Sequence, residues 1–477
     1  MRNSESRPGG RAPRPYSDNL LRWIGQLVLY VFFRRIEVLG LERFPGSGPV
    51  VVVANHQNSL VDSMLLIARL PRFPRFLGAS IVWRYKLLVP ILQAAGVIPV
   101  YRRQDVGAQA GRHDTTFSAC WDLLRADGVL ALFPEGVSHN APEVLPTKSG
   151  AARIALEAES QFGPLGVQVV PVGLVFEAKS KFRSRALLQI GEPMDVATYA
   201  ATYEAADRSG RARVVRDLSQ EVHNRLTALL PGFESLEGAR LIGRAAEIWA
   251  QPVQTVPRKA ELSRAFARSA AFLTGFRSLR ERHPDRMARI RERVATYDQA
   301  LTASGLRDEH VAAEYPLGAV LVFLLQSLIS LLLRLPVAAI GTVLSFIPYR
   351  ISIHVGRPND LDKRATFSLF SSVLLFPVFW LVQGWAIGAA TARWVDPSWA
   401  WPLAIAAVVL APLCGVSTLV FYDNVWRLLF MLKGWFRMRR GGKVSASLIA
   451  QRREIRDELV ELVALYQAET GETGETR

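Results

Sequence analysis

Residues 49–62 read PVVVVANHQNSLVD, and this stretch decides the fold. Val50 to Val53 are four β-branched residues in a row with no polar alternation, the pattern of a strand buried on both faces inside a largely parallel sheet. His56 follows directly, at the carboxyl end of that strand, where chemistry collects in open α/β sheets. On either side short apolar runs alternate with helical stretches. The runs are IEVLG (36–40), RFLGA (75–79), VIPVY (97–101), VLALFPEG (129–136), VQVVPVGLVF (167–176) and ALLQIGEP (186–193); TTFSACWDLLRADG (115–128) and GAARIALEAES (150–160) lie between them. The alternation predicts an α/β domain over residues 19–195, a largely parallel twisted sheet flanked by helices. Its first segment, Asn19 to Phe33, is apolar with one arginine and too short to span a bilayer, and is expected to be an interfacial helix.

The other segments have different signatures. Residues 1–18 are rich in Arg, Pro, Gly and Ser and read as a disordered basic tail. Residues 196–315 lose the β signal, and RVVRDLSQEVHNRLTALL (213–230) and ELSRAFARSAAFLTGFRSL (261–279) space apolar residues by three and four, predicting a helical connector. Residues 316–424 form an expected membrane region. Here 367–392 and 399–421 contain no charge and read as transmembrane helices, while 317–348 is split by Arg334, Leu335 and Pro336 and reads as a re-entrant hairpin. Arg350, Arg357, Lys363 and Arg364 precede the pair of spans. Arg427, Lys433, Arg437, Arg439, Arg440 and Lys443 follow it, so the catalytic domain and the C-terminal helix and tail, residues 425–477, are expected on the cytoplasmic side.

Composition narrows the chemistry. The 477 residues are half hydrophobic and carry a formal charge of +16, with basic residues gathered beside apolar spans and no aromatic-basic recognition motif. That distribution fits an anionic lipid surface or a phosphorylated substrate and argues against nucleic acid. Cys120 and Cys414 have no second thiol nearby, and no metal-ligand cluster, nucleotide-binding glycine loop or Gly-x-Ser-x-Gly elbow occurs.

The candidate residues lie at strand ends. His56 and Asp62 are six positions apart, about 600° on a helix, so they meet only where the chain turns back. Such a meeting would make a general base whose tautomer a carboxylate fixes; the alternative is a surface histidine with Asp62 as a helix N-cap. Arg102 and Arg103 follow VIPVY as a phosphate-binding pair or a solvated one. Glu135, between Pro134 and Gly136, either hydrogen-bonds a substrate hydroxyl or anchors its own turn. Ser138 and Lys148 lie a little further on.

NHQNSLVD, GVIPVYRR, FPEGVSHN and VVPVGLVF, in this order, resemble the four motif blocks of the glycerolipid acyltransferases, the superfamily of glycerol-3-phosphate and lysophosphatidate acyltransferases. The resemblance covers residues 36–193. Most members place four residues between the catalytic His and Asp; here there are five. Val-Ser-His also stands where many have Thr-Arg-Ser. These departures, with LPTKSGAARIAL downstream, are similar to the branch of dual-specificity glycerol-3-phosphate/dihydroxyacetone-phosphate acyltransferases. The resemblance implies transfer of a fatty acyl group, in phospholipid biosynthesis, from an acyl-CoA or acyl carrier protein thioester to a hydroxyl of the glycerol phosphate, with no metal or redox cofactor. His56 would be the base and Asp62 its orienting carboxylate. Arg102, Arg103, Glu135, Gly136, Ser138 and Lys148 would bind the acceptor, Pro171 would shape the acyl-donor side, and N–H groups after His56 would hold the oxyanion. The lipid bilayer would receive the product. The alternatives are a lysophospholipid acyltransferase and a non-catalytic membrane lipid-binding protein.

Overall fold

The computed structural model describes residues 15–80, 83, 86, 89–100, 113–230, 232–250, 261–357 and 360–471, and the chain divides into two compact units. The first comprises residues up to Gly232 together with 356–369, the second the remainder.

Among the described residues the first unit holds eight strands: β1 (Phe33–Leu39), β2 (Val50–Ala54), β3 (Pro74–Ala79), β4 (Ile98–Val100), β5 (Val129–Leu132), β6 (Gln168–Phe176), β7 (Ser184–Ile190) and β8 (Met194–Asp195). They form one sheet in the order β1-β7-β6-β2-β5-β3-β4, with β8 beside β6. All pairings are parallel except β6 with β7 and β6 with β8. The valine strand β2 is central, flanked by β5 and β6, and all five of its residues are fully buried. Its alternate side chains serve two cores. Val51 and Val53 pack with Cys120, Leu124, Ile154 and Leu218, whereas Val50 and Val52 pack with Leu66, Leu70 and Phe76. Each fully buried valine contributes about 1.5–3 kcal/mol, so helices on both faces follow from the strand.

The helices of this unit are α1 (Pro15–Phe32), α2 (Leu60–Arg69), α3 (Val89–Ala94), α4 (His113–Arg125), α5 (Gly150–Phe162), α6 (Ala197–Ala205) and α7 (Arg208–Ala228). Two expectations are corrected. Helix α1 begins at Pro15, inside the segment read as a tail, because proline suits the first helical turn and Asp18 reaches Arg75 Nη2 at 2.8 Å. The connector does not begin at 196: α7 buries Val214, Leu218 and Val222 in the sheet core. Amphipathic spacing announces a helix but not which core receives its apolar face. The opposite side of α1 from its contacts with Ala68 and Pro71 exposes Tyr16, Leu20, Trp23, Leu27 and Tyr30.

The second unit contains α8 (Leu236–Ala250), α9 (Leu262–Arg282), α10 (Pro284–Ser304), α11 (Asp308–Val311), most of α12 (Leu317–Gly356) and α13 (Leu361–Trp394), α14 (Ala400–Arg440) and α15 (Gly442–Thr470). Connector helices and the C-terminal helix share one core, in which Ile290, Val294 and Tyr297 pack with Leu448, Ile455 and Leu459. A buried ion pair joins them: Arg452 donates to both oxygens of Asp308 at 3.0 and 3.2 Å, and Tyr297 Oη donates to Asp308 at 2.8 Å. The later part of the segment read as a connector, from Leu241 to Val311, and the C-terminal segment, from Leu448 to Leu462, are therefore joined by one core.

Helices α12, α13 and α14 are long and apolar enough to cross a membrane. The break expected at Arg334, Leu335 and Pro336 does not occur; α12 is helical through Pro336 and Pro348. An internal proline removes one hydrogen bond and crowds the preceding turn, which bends an apolar helix without ending it. The chain does reverse, further on. Helix α14 runs antiparallel to α12, with Thr418 Oγ1 donating to Ala338 O at 3.1 Å, Asn424 Nδ2 to Ser330 Oγ at 3.4 Å, and Arg427 over Phe323. It also runs antiparallel to α13, with Gly384 against Val408 and Gly388 against Ala404, glycines that let the backbones approach. Helices α12 and α13 thus share a direction where Gln383 Nε2 donates to Leu344 O at 2.9 Å, and the chain between residues 345 and 382 doubles back.

Candidate active site

Strand β2 delivers Asn55 and His56 to the carboxyl edge of the sheet. Asn55, fully buried, exchanges hydrogen bonds with Leu174 of β6 at 2.7 and 3.0 Å and so fixes where the loop leaves the strand. The chain then turns back through Asn58 to Val61, closed by Val61 N donating to Asn58 O at 3.1 Å, and α2 begins. This turn brings Asp62, completely buried in the first turn of α2, to His56: Nδ1 lies 3.0 Å from Asp62 Oδ2. The same oxygen accepts from Gln57 N at 2.9 Å and Asn58 N at 2.7 Å. Opposite a carboxylate, Nδ1 carries the ring proton and Nε2 keeps the lone pair. The imidazole also stacks on Phe133, with centroids 4.0 Å apart and planes 8° from parallel, so its plane is fixed from a second direction.

The five-residue spacing therefore closes into a His–Asp pair. The backbone N–H groups after His56, expected as oxyanion donors, have partners within the protein. The N–H groups of Gln57 and Asn58 go to Asp62, and that of Ser59 goes to Ser138 Oγ at 3.1 Å. They organise the base and are already spent there.

For Glu135 the structure shows the second of the two expected arrangements, an anchor of its own turn. Its side chain is fully buried. Oε1 accepts from His56 N at 2.7 Å; Oε2 accepts from Leu145 N at 2.8 Å and from His139 Nε2. Both oxygens are occupied by the protein, so Glu135 anchors its turn and the catalytic loop. A buried carboxylate with backbone N–H groups at hand is satisfied locally before any ligand arrives. His139, which follows Ser138 beyond the end of β5, completes this brace: its Nδ1 accepts from Ala141 N, leaving Nε2 as donor to Glu135, and its own N–H donates to His56 O at 3.1 Å. Lys179 was missed; its Nζ donates to His139 O at 3.2 Å and its carbonyl accepts from Asn58 Nδ2 at 3.1 Å. Nothing in residue type or spacing announces partners 40 and 121 positions away.

Gly136 has φ +73°, and a Cβ there would collide with the exposed Lys148 ammonium, which lies over the turn. Gly136→Ala is expected to lose about 1–2 kcal/mol of stability from the left-handed backbone alone, measured by urea unfolding. Lys148 is thus beside the Glu135–Gly136 turn, and its N–H donates to Pro134 O at 2.8 Å. Pro171 is not at the rim. It lies mid-strand in β6, buried opposite Val53, and shapes the core beneath the site. Arg102 and Arg103 fall outside the described residues. Cys120 is buried in the sheet core, and burial pushes its thiol up to about 12, out of reach of nucleophilic chemistry at neutral pH.

A histidine held by a carboxylate at a parallel-sheet edge suits proton abstraction from a hydroxyl, and comparison with known proteins agrees. Residues 35–175 match the Acyltransferase family model. Over these residues the chain is similar to the glycerolipid acyltransferases. The chain is 26% identical over 421 residues to an uncharacterized acyltransferase of Schizosaccharomyces pombe, covering 70% of this chain and 60% of that one. It is 29% identical over 290 residues to glycerol-3-phosphate O-acyltransferase 2 of Saccharomyces cerevisiae, covering 56% and 37%. Over 147 residues it is 31% identical to human 1-acyl-sn-glycerol-3-phosphate acyltransferase alpha, covering 31% and 50%. The chain thus spans between about a third and three-fifths of the length of these relatives. The crystal structure of the 1-acyl-sn-glycerophosphate acyltransferase of Thermotoga maritima aligns with 44% of this chain and 80% of its own, at 20% identity and a TM-score of 0.32.

Proposed function

We propose that the protein transfers a fatty acyl group from a thioester to a hydroxyl of glycerol-3-phosphate or dihydroxyacetone phosphate. The observation that carries this reading is the His56–Asp62 pair at the end of β2, inside a glycerolipid acyltransferase domain. His56 Nε2 takes the proton of the acceptor hydroxyl as its oxygen attacks the thioester carbonyl. The tetrahedral intermediate collapses with cleavage of the C–S bond, and the imidazolium returns the proton to the departing thiolate. Ester and free thiol result, with charge and protons balanced. Asp62 stabilises the imidazolium and holds the tautomer. Lys148, and Arg102 and Arg103, are the cations proposed for the acceptor phosphate.

A soluble glycerol phosphate is favoured over a lysophospholipid because the similarity to the yeast glycerol-3-phosphate enzyme extends over 290 residues, against 147 for the human 1-acyl enzyme. Purified protein in detergent, given a labelled long-chain acyl-CoA or acyl carrier protein thioester, is expected to form labelled product from glycerol-3-phosphate or dihydroxyacetone phosphate. Product from lysophosphatidate alone would move the acceptor to the lysolipid, and no product with any acceptor would leave a non-catalytic lipid-binding protein.

The membrane helices are read as holding this chemistry at a bilayer. Because α10 and α15 share one core, the start of α12 and the end of α14 lie on one side, and the crossings between them must be even in number. In this reading α13 and α14 cross, and the doubling back of the chain after residue 345 returns the end of α12 to the cytoplasmic face. In a variant with Cys120 and Cys414 replaced by serine, single cysteines at Arg357 and Ser447 are expected to react from the same face with an impermeant maleimide, and one at Ser398 from the other. Reaction of 357 and 398 from a common face would make α12 a full span.

A further inference from the structure

We propose, on the strength of the acyltransferase reading, that Ser138 is a positioning residue that holds the His56–Asp62 loop in register, and not a substrate ligand. Two departures from the family pattern noted in the sequence, five residues between His56 and Asp62 and Ser138 in the third block, meet in one hydrogen bond: Ser59 N donates to Ser138 Oγ at 3.1 Å. Ser59 is the corner that needs holding. Its φ of 48° and ψ of −125° put it at the first central position of the turn from Asn58 to Val61, a conformation that favours glycine and that other residues adopt only under restraint.

The surroundings explain why the restraint matters. Asn58, next to the corner and fully buried, supplies one of the two backbone N–H groups that fix Asp62 Oδ2. If the corner relaxes, the Asn58 N–H moves, and with it the carboxylate that orients His56. The Ser138 segment is itself pinned to the catalytic loop, since His139 N donates to His56 O at 3.1 Å. The Ser138 hydroxyl is therefore delivered to Ser59 by a rigid neighbour, and its geometry is transmitted to the base through two hydrogen bonds.

The test uses the full-length protein in detergent and four variants. Ser138→Ala is expected to lower kcat about tenfold to a hundredfold, the cost of a misplaced reacting group, with KM for acceptor and thioester changed less than about threefold. Ser138→Thr, which keeps the hydroxyl, recovers most of that loss. Ser59→Gly removes the conformational strain against which the bond holds the corner, so Ser59→Gly combined with Ser138→Ala regains much of the lost kcat. A raised acceptor KM at unchanged kcat would make Ser138 a substrate ligand and overturn the proposal, as would wild-type kinetics in Ser138→Ala or no rescue by Ser59→Gly. Hydrogen exchange reads the same role without turnover. Ser138→Ala is expected to speed exchange in the peptide covering residues 57–61 while the β2 and β5 strands keep wild-type protection. Unchanged exchange there sinks the positioning role, whereas absence of acyl transfer in the wild type would sink only the catalytic reading on which it rests.

Discussion

His56→Ala is expected to lower acyl transfer by about 10²–10⁴, the contribution of a general base, with the protein still folded. The fold should survive because the side chain is partly exposed and makes one hydrogen bond and one stacking contact, while its backbone N–H and C=O, which brace Glu135 and His139, remain. Single-turnover kinetics, with near-ultraviolet circular dichroism as the control for folding, separate a lost base from a lost structure. Asp62→Asn should give a comparable fall by a different route, since an amide in place of the carboxylate no longer compels Nδ1 to carry the proton. A His56→Ala variant with wild-type turnover would mean that the base lies elsewhere.

Glu135→Ala carries the largest expected cost in stability. The carboxylate is buried and accepts from His56 N, Leu145 N and His139 Nε2, so truncation leaves two part-buried N–H groups and an imidazole without partners. At about 1–3 kcal/mol for each unsatisfied group, a loss of roughly 3–5 kcal/mol follows. Glu135→Gln should fall between, because its amide keeps one acceptor oxygen and turns an NH₂ toward donors. Thermal unfolding in detergent measures the difference. A variant as stable as wild type but with a raised KM for the acceptor would restore the role of substrate ligand that the sequence suggested.

Glu135 also shows where sequence reasoning reaches its limit. Strand β2 was legible because four β-branched residues have one plausible environment, and the His56–Asp62 pair because a histidine at a strand end six positions before an aspartate matters only if the loop closes. Glu135 was visible as a residue worth attention, yet its role depends on Leu145 N and His56 N, groups every sequence possesses and none advertises. The same holds for Ser138, whose partner is a backbone N–H seventy-nine positions away. In the membrane region the apolar lengths were plain, but Pro336 was read as a break where the helix continues, because a proline's effect is set by what packs beside it. The connector helices were recognised as helices. Their shared core with α15 was not, since 3.6-residue periodicity records that a face is apolar and not what covers it.

The central claim, a base-assisted transfer of an acyl group to a hydroxyl, is tested most directly by thiol release from a long-chain acyl-CoA, followed with and without glycerol-3-phosphate in wild type and His56→Ala. The account predicts that release in the wild type depends on the acceptor, equals the labelled ester formed, and falls with His56. Thiol release that proceeds equally without acceptor, or that persists at the wild-type rate in His56→Ala, would contradict it.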